Sequence, residues 1–536
     1  MSKTKNLLER AATAILAVAM ALVLLPASAF AGTAATTYKL TLTGTATGHT
    51  YEAYQIFTGD LSTNADGNKV LSNVEWGTGV TYTGTETAAE VAEKLAAGTM
   101  TLADLEDKLT LTTPAKTVQS AKDNTEIDDL AAGYYLVKDK DNTQDEKSDA
   151  YTKFIVQVVG PTSVAIKSGV PTVTKKVKDT NDSTGAISDW QDSADADIND
   201  SVSFQITGTL PSNYADYSKY SYVFTDTMSK GLSYTANSAV ITLYANSTDA
   251  AAGTNGTVIT DNFTENIADY SGTDTDYADG KVITWTEKDA NGLKDIAAVT
   301  KDSVIVVTYT AKLNSDAKIG AEGNPNEVDL TYSNNPNKGG EGETGKTPKD
   351  KNIVFTYKAT VNKVDENNNA LAGAAFTLQK FDHAQNKYVD VKTVSADDAK
   401  AVGDSDVKNS FEFSGLDDGD YQLVESTTPA GYNTIEPIKF QISAKHETDS
   451  ADPKLTALSG NKLDGTTYNG TFLTAELTKE TNLPTGSLTG TVQNKKGSVL
   501  PSTGGMGTTM LYVGGAALAA VAAFGIYQLR KKENEA

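Results

Sequence analysis

Apolar and polar residues along this 536-residue chain alternate mostly with the two-residue period of half-buried β-strands. These short alternating runs are bounded by Gly, Asn, Asp and Pro, which favour turns. Two stretches differ: Thr87 with Glu90, and Thr101 with Asp104, have capping-box spacing, and apolar residues follow each at helical intervals. The pattern therefore predicts a mainly β protein with two short helices near its beginning.

Stretches rich in turn-forming residues divide the middle of the chain into three segments. We expect an N-terminal domain over residues 32–168, a middle domain over 169–352 and a third domain over 353–499. The polar stretch 333–351 is rich in Asn, Gly, Lys and Pro and is typical of a loop or linker. Short strands with frequent turns predict tandem immunoglobulin-like β-sandwiches for the second and third segments. The first segment is predicted as β with short helices.

The N-terminus has the pattern of a secretory signal peptide. A basic start is followed by an apolar run over residues 11–25 and by the small-residue pattern Ala29-Phe30-Ala31. Signal peptidase cleaves after such a pattern, and the apolar run is short for a bilayer span. We therefore expect residues 1–31 to be removed and the chain to be exported.

The C-terminus combines a pentapeptide, an apolar segment and a basic tail. Residues 510–529 are long enough to span a bilayer, and the basic cluster 530–532 favours a cytoplasmic end. This order resembles the cell-wall sorting signal of sortase substrates. The resemblance implies that a sortase cuts between Thr and Gly and passes the Thr503 carbonyl to an amine, with peptidoglycan as the final anchor. The implied motif is Leu500, Pro501, Ser502, Thr503 and Gly504.

Composition excludes several classes of function. The formal charge of −23 becomes −26 once both ends are removed, because they carry six basic and three acidic residues. Such an acidic chain is not expected to bind nucleic acid through its phosphates. The three histidines, His49, His383 and His446, are far apart in sequence and indicate neither a metal cluster nor a catalytic base. We predict no cofactor, and no enzyme other than a self-crosslinking protein.

The chain contains no cysteine, although exported proteins commonly use disulfides as staples. The third segment offers another kind of staple. It resembles a collagen-adhesin (Cna) B-type domain in Lys363-Val364-Asp365, in Tyr421 to Glu425 followed by Pro429-Ala430-Gly431-Tyr432, and in Val492 to Gly497. Such domains join their first and last strands by a Lys-Asn isopeptide bond. The resemblance implies Lys363 as the amine, Asn494 as the amide and Glu425 as the catalytic acid.

Strand periodicity supports this assignment independently. Lys363 shares a strand face with Val361, Glu425 shares one with Leu423, and Asn494 shares one with Val492. Each reactive group would then lie on the apolar side of its strand. Burial disfavours charge, so a neutral amine could attack an amide carbon that an acid polarises, with loss of ammonia.

The middle segment resembles the isopeptide-forming middle domain of major pilins, which is Cna A-like. The resemblance rests on the stretches 171–177, 222–228 and 324–330. Lys175 shares a face with Val173 and Val177, so we expect it, rather than Lys176, to be the buried amine. Asp226 alternates with Phe224 and is the expected acid. Asn326 is the preferred amide, and Asn334 on the same face stays open.

Pilin families also use an exposed lysine before the middle domain as acceptor of the next subunit's threonine. By position this is Lys167, with Lys176 and Lys178 as alternatives. The resemblance to major pilins implies a structural shaft subunit of a covalent, sortase-assembled pilus, polymerised with identical subunits. The alternative is a peptidoglycan-anchored adhesin or minor pilus subunit that binds a host ligand. Whether the first domain has its own crosslink stays open at this point.

Overall fold

The computed structural model describes residues 36–497, apart from 65–66, 101, 145–146, 148, 167–168, 341, 404, 464–467 and 480–481. The predicted signal peptide, the sorting motif and the apolar segment 510–529 lie outside the described residues. Within the described ranges no helix is long and apolar enough to cross a membrane. The chain is mainly β and is organised as several packed sheets, which confirms the predicted fold class.

The first region, residues 36–166, has two hydrophobic cores. Its elements are β1 (Thr37–Thr45), β2 (Thr50–Thr63), β3 (Lys69–Trp76), β4 (Val80–Tyr82), α1 (Ala88–Ala96), α2 (Leu102–Glu106), β5 (Leu109–Leu111), β6 (Lys116–Gln119), β7 (Asp123–Ala131), β8 (Gly133–Asp139), β9 (Lys153–Val158) and β10 (Thr162–Ala165). One core joins the β10-β1-β7 sheet to the five-stranded sheet around β2 and β8. The other joins β2, β3 and β8 to the two helices.

Helix α1 begins where the sequence predicts. The Thr87 hydroxyl accepts from the Glu90 backbone N–H at 3.3 Å, and the Glu90 carboxylate accepts from the Thr87 N–H at 2.7 Å. This reciprocal pair satisfies two of the N–H groups that a helix start leaves without partners. Val91 and Leu95 on the inner face are buried in the core. The capping-box prediction for this helix is confirmed.

The second region, residues 169–349, is a two-sheet sandwich. Its elements are β11 (Val173–Val177), β12 (Thr180–Asn181), β13 (Ala186–Ile187), β14 (Ser193–Asp195), β15 (Ser201–Thr209), β16 (Tyr222–Met228), β17 (Leu232–Tyr234), β18 (Val240–Tyr244), α3 (Ser247–Ala252), β19 (Thr257–Val258), β20 (Phe263–Asp269), β21 (Lys281–Glu287), β22 (Val304–Leu313), β23 (Gly320–Ser333) and β24 (Thr344–Lys346), with 3-10 turns at Tyr214–Asp216, Thr260–Asn262, Thr275–Tyr277, Leu293–Asp295 and Pro336–Lys338. The order β11-β15-β22-β18-β19 forms one sheet, and β20-β21-β16-β23 belong to the other. One continuous core fills the space between them.

The third region, residues 350–497, is a second sandwich. Its elements are β25 (Asp350–Val364), β26 (Ala375–Asp382), β27 (Lys387–Val394), β28 (Lys400–Ala401), β29 (Lys408–Leu416), β30 (Gly419–Thr427), β31 (Ile438–His446), β32 (Leu455–Lys462), β33 (Thr474–Leu477) and β34 (Pro484–Gln493). The sheet β27-β26-β30-β31-β32 lies opposite strands β25, β28, β29, β33 and β34. Their inward residues form a separate core.

Strand β25 joins the two sandwiches. Its first residues pair with β23 of the second region, in the register Asn326 to Asn352, and its later residues pair with β29 and β34 of the third. The boundary expected between residues 352 and 353 therefore lies inside one strand. The expectation of a loop or linker over 333–351 is partly wrong, because backbone pairing to β23 makes strands of Thr344–Lys346 and of the chain from Asp350 onward.

Candidate crosslinking sites

Lys363 and Asn494 lie side by side because the first and last strands of the third region are parallel neighbours. Lys363 is opposite Val492 in this pairing, and the Asn494 backbone N–H donates to the Val364 carbonyl at 3.0 Å. The Lys363 Nζ donates to Asn494 Oδ1 at 2.6 Å and to the Val492 carbonyl at 3.1 Å. The amine is thus directed at the side-chain amide on which it would act.

Glu425 reaches the same point from β30 in the facing sheet. The Asn494 Nδ2 donates to both of its carboxylate oxygens, at 2.9 and 3.2 Å. The Lys363 Nζ lies 3.9 Å from Glu425 Oε1. The Thr428 hydroxyl and the Ile435 N–H also donate to Glu425 Oε2, at 3.2 and 3.1 Å. An acid is therefore held against the amide nitrogen that would leave as ammonia.

Burial makes the Lys363 amine easier to deprotonate. Its side chain is fully buried, and this desolvation lowers its pKa to about 8, although Glu425 acts in the opposite direction. Near pH 7 roughly one such side chain in ten is neutral, against about one in several thousand for an ordinary lysine. The site can therefore supply the free amine that bond formation needs.

A second buried group lies between the sheets of the second region. Lys175 comes from β11, whereas Asp226 comes from β16 in the facing sheet. The Lys175 Nζ donates to the Asp226 carboxylate, and both side chains are completely buried. Burial lowers the pKa of Lys175 and raises that of Asp226, which favours an uncharged amine beside an uncharged acid.

Asn326 joins this group, whereas Asn334 does not. Asn326 lies on β23 beside β16, and its Nδ2 donates to the Tyr309 hydroxyl at 2.9 Å. That hydroxyl in turn contacts Lys175 and Asp226. The Asn334 Nδ2 donates instead to the carbonyl of Gln144 in the first region, at 2.7 Å. The geometry thus favours Asn326 over Asn334 as the amide partner of Lys175.

Two parts of these surroundings were not predicted from the sequence. Tyr309 is buried at the centre of the second group, and its only sequence signal is its inward phase in β22 with Val307 and Ala311. Lys380 is buried where the second and third regions meet, and it forms ion pairs with three aspartates: Asp182, Asp197 and Asp417.

In the described part of the first region no lysine is buried, so no third group of this kind occurs there.

The remaining predicted site residues are placed only in part. Lys167 and the pentapeptide 500–504 lie outside the described residues. Lys176 is half-buried and its Nζ lies 2.5 Å from the Asp192 carboxylate. The Nζ of Lys178 lies 5.1 Å from the centre of the Trp190 ring. Both alternative acceptor lysines therefore contact other side chains of the second region.

Two clusters of acidic residues bring together groups that are distant in sequence. Asp179, Asp195 and His446 form one, and four aspartates form the other, with ligand atoms within 4.8 Å of one another in each: Asp182, Asp197, Asp200 and Asp417. His446, which the sequence pattern did not link to other ligand-type residues, lies in the first cluster because β31 ends beside β14. The Lys380 ammonium binds three aspartates of the second cluster, so it already supplies a positive charge there.

Two family models match parts of the chain. The SpaA domain, described as a prealbumin-like fold domain, matches residues 357–454. The LPXTG cell wall anchor motif matches residues 492–535. The first match covers Lys363 and Glu425, and the second covers Asn494 and the predicted sorting signal. The predicted localisation, anchored at the cell wall, is confirmed.

Known proteins resemble the chain over most of its length. The trypsin-resistant surface T6 protein of Streptococcus pyogenes is 28% identical over 431 residues, which cover 70% of this chain and 71% of that protein. The solved T6 backbone pilin of serotype M6 S. pyogenes, which has a modular three-domain structure, superposes with a TM-score of 0.50 at 18% identity. That alignment covers 86% of this chain and 98% of the pilin.

The full-length major pilin SpaD of Corynebacterium diphtheriae aligns with a TM-score of 0.46 at 18% identity, covering 86% of this chain and 98% of that one. The chain resembles the backbone pilins of Gram-positive bacteria. The similarity to the T6 protein over most of its length, together with the anchor motif, confirms the resemblance recognised in the sequence.

Proposed function

We propose that this chain is the structural shaft subunit of a covalent, sortase-assembled pilus. Three features support the proposal together: the anchor motif at residues 492–535, the similarity to the T6 protein, and two buried Lys-acid-Asn groups. The observation that carries it furthest is the 2.6 Å contact between the Lys363 amine and the Asn494 amide beside Glu425. Lysine side chains are almost never fully buried unless they are paired with a partner.

Each group would form an isopeptide bond without a cofactor. The lysine amine attacks the amide carbon, the bond from that carbon to Nδ2 breaks, and one ammonia leaves. The acid polarises the amide and supplies the proton for the leaving nitrogen. The products would be Lys363–Asn494 and Lys175–Asn326. Asp226 and Glu425 are regenerated.

These bonds would make the subunit resistant to tension. In the proposed three domains, 32–168, 169–352 and 353–499, each of the last two would have its early strand tied to a late one. Tension along the chain would then pass through covalent bonds and bypass most strand pairing. A chain without cysteine would obtain in this way what disulfides supply in other exported proteins.

Polymerisation would join Thr503 of one subunit to a lysine of the next. Lys167 is the proposed acceptor because it precedes the second region directly, and because Lys176 and Lys178 are engaged with Asp192 and Trp190. A sortase would release the chain at Gly504 and carry Thr503 as an acyl-enzyme. The last subunit would be attached to peptidoglycan.

The test is a denaturing gel of cell-wall extracts probed for this protein in strains with Lys167→Ala or the control Lys178→Ala. A high-mass ladder that persists in the control and disappears in Lys167→Ala supports the proposal. A ladder that disappears only in the control moves the acceptor to Lys178. A wall-linked monomer in the unmodified strain overturns the shaft function and favours an anchored adhesin with a host ligand.

A further inference from the structure

The two proposed crosslinking groups differ in what faces the leaving nitrogen. In the third region, the Asn494 Nδ2 donates directly to the Glu425 carboxylate, at 2.9 and 3.2 Å. In the second region, the Asn326 Nδ2 donates to the Tyr309 hydroxyl, at 2.9 Å. Among the described hydrogen bonds, none joins Asn326 to Asp226. In the second region, hydrogen bonds therefore connect Asp226 to the Asn326 amide through a third side chain, that of Tyr309.

The Tyr309 hydroxyl lies at the centre of the group. It donates to Asp226 Oδ2 at 2.8 Å, accepts from the Lys175 Nζ at 2.6 Å and accepts from the Asn326 Nδ2 at 2.9 Å. One oxygen thus contacts the amine, the acid and the leaving nitrogen. A hydroxyl has one proton to donate and two lone pairs, so these three contacts use its full capacity.

The packing of the ring fixes the hydroxyl in this position. The Tyr309 ring stacks on Phe204 with 5.3 Å between centroids. Trp285 and Tyr234 lie 5.5 and 5.6 Å away on other sides. A tyrosine whose ring is enclosed by three aromatic side chains has little freedom to move its hydroxyl. The contacts that hold the ring do not involve the hydroxyl.

We infer that Tyr309 is a further catalytic residue of the second region, a proton relay between Asp226 and the Asn326 amide. This inference rests on the proposed self-crosslinking function. An aspartate is one methylene shorter than a glutamate, and the tyrosine hydroxyl spans the gap that Glu425 closes directly in the third region. Asp226 and Tyr309 together would thus deliver the proton to the leaving nitrogen, as Glu425 does alone in the third region.

The proton transfers balance in four steps. Lys175 first gives a proton to Asp226, and the neutral amine attacks the Asn326 amide carbon. Tyr309 then passes its proton to Nδ2 while Asp226 reprotonates it, so that no phenolate forms. Asp226 recovers a proton from the attached lysine nitrogen. The bond between carbon and Nδ2 breaks, ammonia leaves, and Tyr309 ends the sequence unchanged.

The surroundings keep Tyr309 suitable for this role. Burial raises its pKa well above the ordinary value, and the neighbouring Asp226 raises it further. The hydroxyl therefore stays protonated and acts as a neutral donor. A phenolate, by contrast, would be a poor neighbour for the Asp226 carboxylate.

The experiment follows bond formation in the full chain as it folds for the first time, starting from unfolded protein that has not yet reacted. The Tyr309→Phe variant removes the hydroxyl and keeps the ring. Fluorescence in a Trp76→Phe, Trp190→Phe background, where Trp285 is the remaining tryptophan, reports whether the aromatic packing is native. Peptide mapping by mass spectrometry measures the Lys175–Asn326 and Lys363–Asn494 products separately over time. A second variant combines Tyr309→Phe with Asp226→Glu, which lengthens the acid.

We expect Tyr309→Phe to slow the Lys175–Asn326 bond by about 100-fold or more, which is the usual contribution of general acid–base catalysis. The Lys363–Asn494 bond should form at the unmodified rate, and the double variant should recover at least about tenfold. Formation of the Lys175–Asn326 bond at the unmodified rate in Tyr309→Phe overturns the relay. A variant with altered Trp285 fluorescence and no recovery in the double variant also overturns it, since the hydroxyl would then be structural. Absence of both bonds from the unmodified chain rejects the proposed self-crosslinking itself.

Discussion

Lys363 and Lys380 are both buried in the third region, and their pKa values are shifted in opposite directions. Burial lowers the pKa of Lys363 to about 8, with Glu425 as a partly opposing charge. Burial also acts to lower the pKa of Lys380, but Asp417 and Asp197 outweigh it and the pKa is raised. The first lysine is therefore prepared to act as an amine, and the second is held as a cation.

Replacing Lys380 should weaken the joint between the second and third regions. In Lys380→Met, Asp417 remains buried without its cation, which costs roughly 3–5 kcal/mol for a buried pair. We expect a lower thermal midpoint at neutral pH, and a smaller loss at acid pH, where the aspartates are protonated. Calorimetry at both pH values checks this.

The matched control for that substitution is Lys387→Met, at the exposed start of β27. Both crosslinks should form in either variant, because Lys380 contacts neither group. Equal thermal midpoints for the two variants would contradict the role of the ion network.

Glu425→Gln should prevent the crosslink of the third region while preserving the shape of the site. The glutamine can still accept a hydrogen bond from Asn494 but cannot supply an acid proton. The crosslink would close a loop between residues 131 apart in sequence. Its loss should lower the free energy of unfolding by about 5 kcal/mol on the chain-entropy estimate. Intact mass, higher by one ammonia, and thermal unfolding measure the two effects.

Glu436→Gln is the control for this change, because Glu436 is exposed and near the same site in sequence. It should leave the mass deficit and the stability unchanged. A Glu425→Gln chain that still loses both ammonias would show that Glu425 is not required for the reaction.

The choice between Asn326 and Asn334 is directly testable. Asn326→Ala should abolish the crosslink to Lys175. Asn334→Ala should leave it intact and loosen the contact with the first region, because Asn334 donates to Gln144. Peptide mapping measures the first effect, and limited proteolysis near residue 144 measures the second. A linked Lys175–Asn334 peptide would reverse the assignment.

Bond formation in the third region should depend on pH through Lys363. Only the neutral amine attacks, and the lowered pKa of about 8 makes this form abundant above that value. The rate should therefore rise about tenfold for each pH unit as the pH approaches about 8 from below. Refolding of chain that has not yet reacted, followed by mass at a series of pH values, gives the profile. A rate that is independent of pH below 8 would show that deprotonation of Lys363 does not limit the reaction.

Periodicity in the sequence was sufficient to place Lys175, Lys363 and Glu425 on inward strand faces, because a buried strand alternates strictly. Periodicity could not identify Tyr309 as part of the site. An inward-facing tyrosine has the same sequence pattern as any aromatic core residue, and only the position of the facing sheet shows what its hydroxyl contacts. Nor could periodicity reveal Asp182 and Asp197 beside Lys380, which are 198 and 183 residues away in sequence. The capping box of α1 was visible because all its contacts are local.

Strand β25 determines how far the proposed shaft subunit could stretch. With both crosslinks formed, tension would pass from Lys175 to Asn326, follow the backbone from 326 to 363, and leave through Asn494. Between Lys175 and Asn494 only that backbone segment could lengthen, to roughly 130 Å when fully extended, whereas the uncrosslinked path from 175 to 494 could reach roughly 1,100 Å. A fibre of such subunits would have low extensibility. A force applied at its tip would be transmitted to the cell wall with little change in the length of the fibre.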